Sequence, residues 1–154
     1  MITFRKFIEK DRNFIEQVFK STREPELKQT NWSNLQKESF ILMQSVAQEA
    51  DYKTSFPHLE KKLILYKNKQ AGRLYLSETS SHLRLVDISL LPQFRGKGIG
   101  TTILSQLIKR AEKSKRILCL HVRKENRAMS LYIKSGFIII NSTGDYHYME
   151  LKSK

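Results

Sequence analysis

One cysteine, three prolines and six glycines are what this chain of 154 residues has least of. A single thiol cannot close an internal disulfide. Cys119 sits in the apolar run "RILCLHV", which reads as a buried thiol of a cytosolic protein. So little proline beside 40% hydrophobic residues excludes a disordered chain. No run approaches the roughly 18 apolar residues of a membrane span. The opening "MITFRKFIEKDRNF" lacks an apolar core and a small-residue cleavage site, and Glu9 and Asp11 argue against a transit peptide. A cytoplasmic protein without membrane contact is expected. His58, His82, His121 and His147 are scattered without metal-ligand spacing, so no metal is expected either. The length suits one domain, 1–154, with a single core.

Acidic residues are also scarce, 15 against 28 lysines and arginines, for a net charge of +13. Such a balance suits nucleic acid, an anionic surface or an acidic ligand. It equally describes a solvated basic surface, because the basic residues are spread along the chain with only short clusters such as "KRAEKSKR".

What is present is an alternation of strand and helix signals. Residues 2–7 alternate as a strand, and 9–21 place Ile8, Phe14, Ile15, Val18 and Phe19 on one helical face. Ser33 and Gln36 stand at capping-box spacing before a helix striped by Leu35, Leu42, Met43, Val46 and Ala47, closed by Phe56-Pro57. "KLILYKNKQAGRLYLSE" reads as a hairpin and "LRLVDISLL" as a strand. A helix follows to about Ser114, with core face Ile103, Leu104, Leu107, Ile108 and Ala111. Then come the strand "RILCLHV", a short helix from about Asn126 to Ser135 stopped by Gly136, and the closing hairpin "FIIINSTGDYHYMEL". Strand, helix, strand between Leu83 and Val122 is a crossover joining parallel neighbours. The other pairs read as antiparallel, so the fold class is α/β with a mixed, mostly antiparallel sheet and flanking helices.

Despite the shortage of glycine, "LLPQFRGKGIGTTILSQLIKRA" spends Gly96, Gly98 and Gly100 at a helix entrance. The first amides of a helix lack internal acceptors and sit at the positive end of its dipole. Bare residues there let a phosphate or pyrophosphate reach them, with Arg95 and Lys97 adding charge. A tight turn is the alternative, and it accounts for one glycine more readily than for three. The phosphate loop of nucleotide hydrolases requires Ser or Thr after Gly-Lys, and here Gly98 follows Gly96-Lys97. The dinucleotide fingerprint fails as well, with Thr101 or Ile103 where its third glycine belongs.

"LLPQFRGKGIGTTIL", with Arg95-x-x-Gly98-x-Gly100, resembles the acyl-coenzyme A loop of the GNAT superfamily of N-acyltransferases. "LHVRKENRAMSLYIKSGF" resembles that family's strand, asparagine and Leu-Tyr helix. Together the two cover Leu83 to Phe137, and "TREPEL" is similar to bacterial members. The resemblance implies a GNAT-like fold with one splayed parallel strand pair and acetyl-coenzyme A as co-substrate. It implies that Arg95, Gly96, Lys97, Gly98, Ile99, Gly100 and Thr101 hold the pyrophosphate, and that the backbone of Ile88, Ser89 and Leu90 lines the pantetheine arm. Asn126, or Glu125 in its place, would touch the coenzyme. Tyr132 would protonate the departing thiolate, although its residue type alone equally fits a core aromatic.

The chemistry adds a demand. An amine of pKa about 10.4 is roughly a thousandfold protonated near neutrality, so exposing its lone pair costs about 4 kcal/mol and calls for a general base. His121 and Asp87 are the candidates, each also readable as structural. Two functions result: acetyl transfer to a primary amine of a small molecule or protein by direct attack in a ternary complex, or a basic nucleic-acid-binding module whose glycine loop grips phosphate. Monomer and homodimer both remain open.

Overall fold

The computed structural model describes residues 1–151. In chain order the elements are β1 (Ile2–Lys6), a 3-10 turn (Glu9–Asp11), α1 (Arg12–Leu27), α2 (Asn34–Ser55), β2 (Glu60–Tyr66) and β3 (Lys69–Glu78). There follow β4 (His82–Leu90), a 3-10 turn (Pro92–Phe94), α3 (Ile99–Ser114), β5 (Ile117–Arg123), α4 (Met129–Ser135), β6 (Phe137–Thr143) and β7 (Tyr146–Leu151). The seven strands form one mixed sheet in the order β1-β2-β3-β4-β5-β7-β6. Its backbone contacts divide the chain into two compact units, Met1–Tyr75 with Ile88–Lys97, and Leu76–Asp87 with the chain from Gly98 onward. Among the described residues no helix is long and apolar enough to cross a membrane.

In the first unit β1 pairs antiparallel with β2, from Ile2↔Tyr66 to Lys6↔Lys62. The β2–β3 turn uses Lys67 and Asn68 at φ 50° and 66°, the left-handed pair that a two-residue hairpin requires. Arg5 donates twice to Asp11, at 3.0 and 2.8 Å, and Asp11 Oδ2 accepts the Ile8 amide at 2.9 Å, which fixes where α1 begins. Ile8 therefore precedes the helix and is half exposed, rather than lying on its apolar face. Val18 and Phe19 do reach the core. The helix also outruns the expected stop at residue 21 and continues to Leu27 through Pro25. Pro25 stands in the last turn, where its missing amide forfeits a single bond.

α2 departs further from expectation. Its capping box forms as read, with Ser33 Oγ accepting the Gln36 amide at 3.2 Å and Gln36 Oε1 accepting the Ser33 amide at 2.8 Å. The apolar stripe, however, faces solvent: Leu35, Leu42, Met43 and Val46 are 59–73% exposed, Ala47 is exposed, and no residue of α2 is buried. The inward face is offset and partly polar, because Gln44 accepts from Arg23 Nε and Gln48 from Arg73 Nη2, both at 2.9 Å. Helical periodicity locates a stripe without saying that the stripe is buried.

The second unit follows the sequence closely. β4 and β5 run parallel from His82↔Ile117 to Leu85↔Leu120 and are joined through α3. Ile103, Leu104, Leu107 and Ala111 of α3 are buried, and Ile108 is half-buried. β5 pairs antiparallel with β7, and β7 with β6. Cys119 is fully buried, and burial pushes its thiol pKa up, away from the reactive thiolate. α4 begins at Met129 rather than Asn126, and Gly136 at φ 106° ends it.

Candidate active site

The loop between β4 and α3 is built from its glycines. Gly96 and Gly98 adopt φ +73° and +78°, the left-handed region in which an L side chain is strained. A Cβ at either position would meet nothing within 4 Å, so the surface over both is open. Gly98 is the N-cap of α3 and supplies no side-chain cap, leaving the first-turn amides without that partner. Turn conformation thus accounts for two of the three glycines. Gly100 has neither reason: its Cβ would make an ordinary contact, 3.8 Å from Leu131 Cδ2. Gly96, Lys97 and Thr101 are exposed, while Ile99 is buried and anchors the helix start. Arg95 Nε donates to the Leu90 carbonyl at 3.1 Å, and the Leu91 amide bonds the Ala71 carbonyl at 2.9 Å.

Along β4, Ile88, Ser89 and Leu90 are half-buried. A Cβ at Gly72 of β3 would collide with the Ser89 carbonyl, so glycine is what lets β3 approach β4 there. Sequence reasoning overlooked Gly72. Its one signal is a glycine inside a strand pattern. Past the rung Leu85↔Leu120, β4 runs on to Leu90 and β5 to Arg123.

The catalytic candidates fall on two faces. Leu83 and Leu85 of β4 share a face with Leu118 and Leu120 of β5, and alternation puts Asp87 on that face. Tyr132 is 6% exposed, with its ring edge-on to Phe137 at 5.7 Å. Burial first, and the negative charge of Asp87 second, push its phenol up to about 12. His121 lies on the opposite face, with Arg84 and Cys119. Arg84 Nη1 is 2.7 Å from His121 Nδ1, and the ring rests 4.9 Å from Tyr148. Because a guanidinium only donates, Nδ1 must accept and the imidazole is neutral. Burial, then the charge of Arg84, holds its pKa below the usual histidine range. The structure therefore brings Asp87 and Tyr132 together and sets His121 apart from both.

Asn126 is exposed, and its Oδ1 accepts the Ala128 amide at 2.8 Å, which shapes the turn into α4. Glu125, also exposed, accepts from Arg123 Nε at 3.2 Å.

A family model described as the acetyltransferase (GNAT) family matches residues 19–137. The structure is similar to the PaiA N-acetyltransferase of Thermoplasma acidophilum in complex with coenzyme A, at 22% identity and TM-score 0.72, with 99% of each chain covered. It is also similar to the Campylobacter jejuni N-acetyltransferase PseH in complex with acetyl coenzyme A, at 20% identity and TM-score 0.64 over 100% of each chain. PH1933 of Pyrococcus horikoshii OT3 shares the fold at 18% identity and TM-score 0.69, covering 100% of this chain and 99% of its own. No curated protein matches.

Proposed function

Because the chain belongs to the acetyltransferase (GNAT) family, we propose that it moves an acetyl group from acetyl-coenzyme A to a primary amine by direct attack, with residues 1–154 acting as one domain. Membership makes it an acyl-coenzyme A-dependent N-acyltransferase. The observation that carries the fuller reading is the open loop. Two left-handed glycines with free space above them precede a 16-residue helix that starts without a side-chain cap, beside Arg95 and Lys97. That arrangement suits a pyrophosphate. Gly100, which neither conformation nor packing requires, keeps the first turn bare.

Acetyl-coenzyme A supplies a thioester whose carbon accepts the amine while the C–S bond breaks. The chain's own groups handle the protons. Asp87, through water, takes the proton that the attacking ammonium must lose. The Tyr132 hydroxyl, kept protonated by burial and by Asp87, gives its proton to the leaving sulfur and regains one through solvent from the nitrogen, which sheds its second proton as the amide forms. We assign the base to Asp87 rather than His121 because the charge of Asp87 reaches the Tyr132 phenol, whereas His121 lies on the other face of the sheet from Asp87. Ile88, Ser89 and Leu90 offer backbone to the pantetheine arm, and Asn126 lies near the coenzyme. The nucleic-acid reading finds no support in the family match or in the fold.

Incubation with acetyl-coenzyme A and a panel of primary amines, read as thiol release, tests the reaction. Amine-dependent release supports it. Release at the blank hydrolysis rate with every amine, from a protein that binds the coenzyme, contradicts it.

A further inference from the structure

β6, wholly within the second unit, ends the sheet, so among the described residues no strand lies along its outer row of amides and carbonyls. Phe137 is buried, and every later residue of the strand is exposed. Ile138 and Ile139 are each 45% exposed, and Ile140 is 46% exposed. Among the described residues β6 is also the one strand of seven without a Lys, Arg, Asp or Glu. β1, at the other end of the sheet, carries Arg5 and Lys6.

Charged side chains and bulges are two ways in which an edge is kept from pairing with another chain. β6 has only the second, a register shift against β7 between Ile139 and Asn141. The bulge shortens the stretch able to pair, but it leaves the three isoleucines uncovered. An outer row of backbone donors and acceptors fits a further strand, and the isoleucines fit apolar side chains opposite them.

We propose that β6 is a dimerisation edge: it pairs antiparallel with β6 of a second copy about a twofold axis at Ile139, joining the two sheets. Such pairing sets Ile139 opposite Ile139 and Ile138 opposite Ile140, so apolar side chains meet on both faces. The run reads the same in either direction, as a self-complementary patch requires. Charge points to the same contact. Copies of a chain with net charge +13 repel one another, and an uncharged strand is where they can approach at least cost. A contact this short lies at the small end of interface sizes, so the dimer forms reversibly and at high protein concentration.

Sedimentation velocity of the full chain over a concentration series tests this. The mass should rise from monomer toward dimer as the protein reaches submillimolar concentration, and go no higher, because a twofold pair closes on itself. Ile139→Lys should weaken the association by about tenfold or more, since it sets two ammonium groups face to face across the axis. Should that variant fail to fold, Ile138→Thr combined with Ile140→Thr decides by the same criterion, keeping β-branched residues while removing apolar surface. Leu42→Lys, on the exposed stripe of α2, should leave the association unchanged. A monomer at every concentration, growth beyond the dimer, or undiminished association in the folded β6 variant overturns the proposal. An equal or greater loss in Leu42→Lys overturns it too.

Discussion

Asp87 and Tyr132 lie near enough for the carboxylate to add to burial in pushing the phenol up to about 12, so the hydroxyl keeps its proton throughout the neutral range. Tyr132→Phe keeps the ring and its contact with Phe137 while removing the donor. A turnover loss at the lower end of ~10²–10⁴ is expected, because the leaving thiol, of pKa about 8.5, is partly protonated by water unaided. Acetyl-coenzyme A affinity should stay the same. A variant within threefold of the parent at saturating acceptor would reduce Tyr132 to packing.

Asp87→Asn should lower turnover by a similar ~10²–10⁴, and it should also let the Tyr132 pKa fall toward 10. Ultraviolet titration of the phenol, compared with Tyr132→Phe to isolate its signal, checks the second effect. An unchanged Tyr132 titration would contradict the electrostatic link between the two residues.

His121 should behave differently. Its folded-state pKa is depressed, so the unfolded chain takes up this proton first as the pH drops. The stability it contributes is complete above about 6.5 and is lost as the pH falls through the folded value. His121→Gln should therefore flatten the acid-side decline of the melting temperature and leave turnover within about threefold. A hundredfold loss of turnover would move the base from Asp87 to His121.

How much of this was legible in the sequence differs between the two halves. β4, the glycine loop, α3 and β5 followed from local signals: alternation, a glycine-marked helix entrance and a 3.6-residue stripe that did turn inward. Alternation along "RILCLHV" likewise sets His121 on the face opposite Leu118, Leu120 and Val122. α2 and its capping box were legible, but not which face turns inward: Gln44 and Gln48, tied to Arg23 and Arg73, form that face while Leu42 and Val46 face out. No periodicity carries that information. α1 runs six residues past the expected stop at residue 21, with Pro25 inside its last turn. Arg73 gave no signal and Gly72 only that of a glycine inside a strand, because each draws its meaning from a chain neighbour distant in sequence.

Gly100 offers a cleaner test of the loop than Gly98. Any side chain at Gly98 is strained at φ +78°, whatever the loop binds, whereas Gly100 has no such constraint. Gly100→Val should weaken acetyl-coenzyme A binding by tenfold or more and shift the ligand-free melting temperature by only a few degrees. Unchanged affinity would show that the bare first turn has no part in holding the pyrophosphate.

The account stands or falls on whether the folded chain binds acetyl-coenzyme A at the loop, and thermal unfolding with increasing coenzyme measures this most directly. A ligand that binds only the folded state stabilises it by about 2.7 kcal/mol at a hundredfold excess over its dissociation constant. The melting temperature should therefore climb steadily with acetyl-coenzyme A in the parent and much less in Gly100→Val. No shift at millimolar coenzyme, or an equal shift in the two proteins, would contradict it.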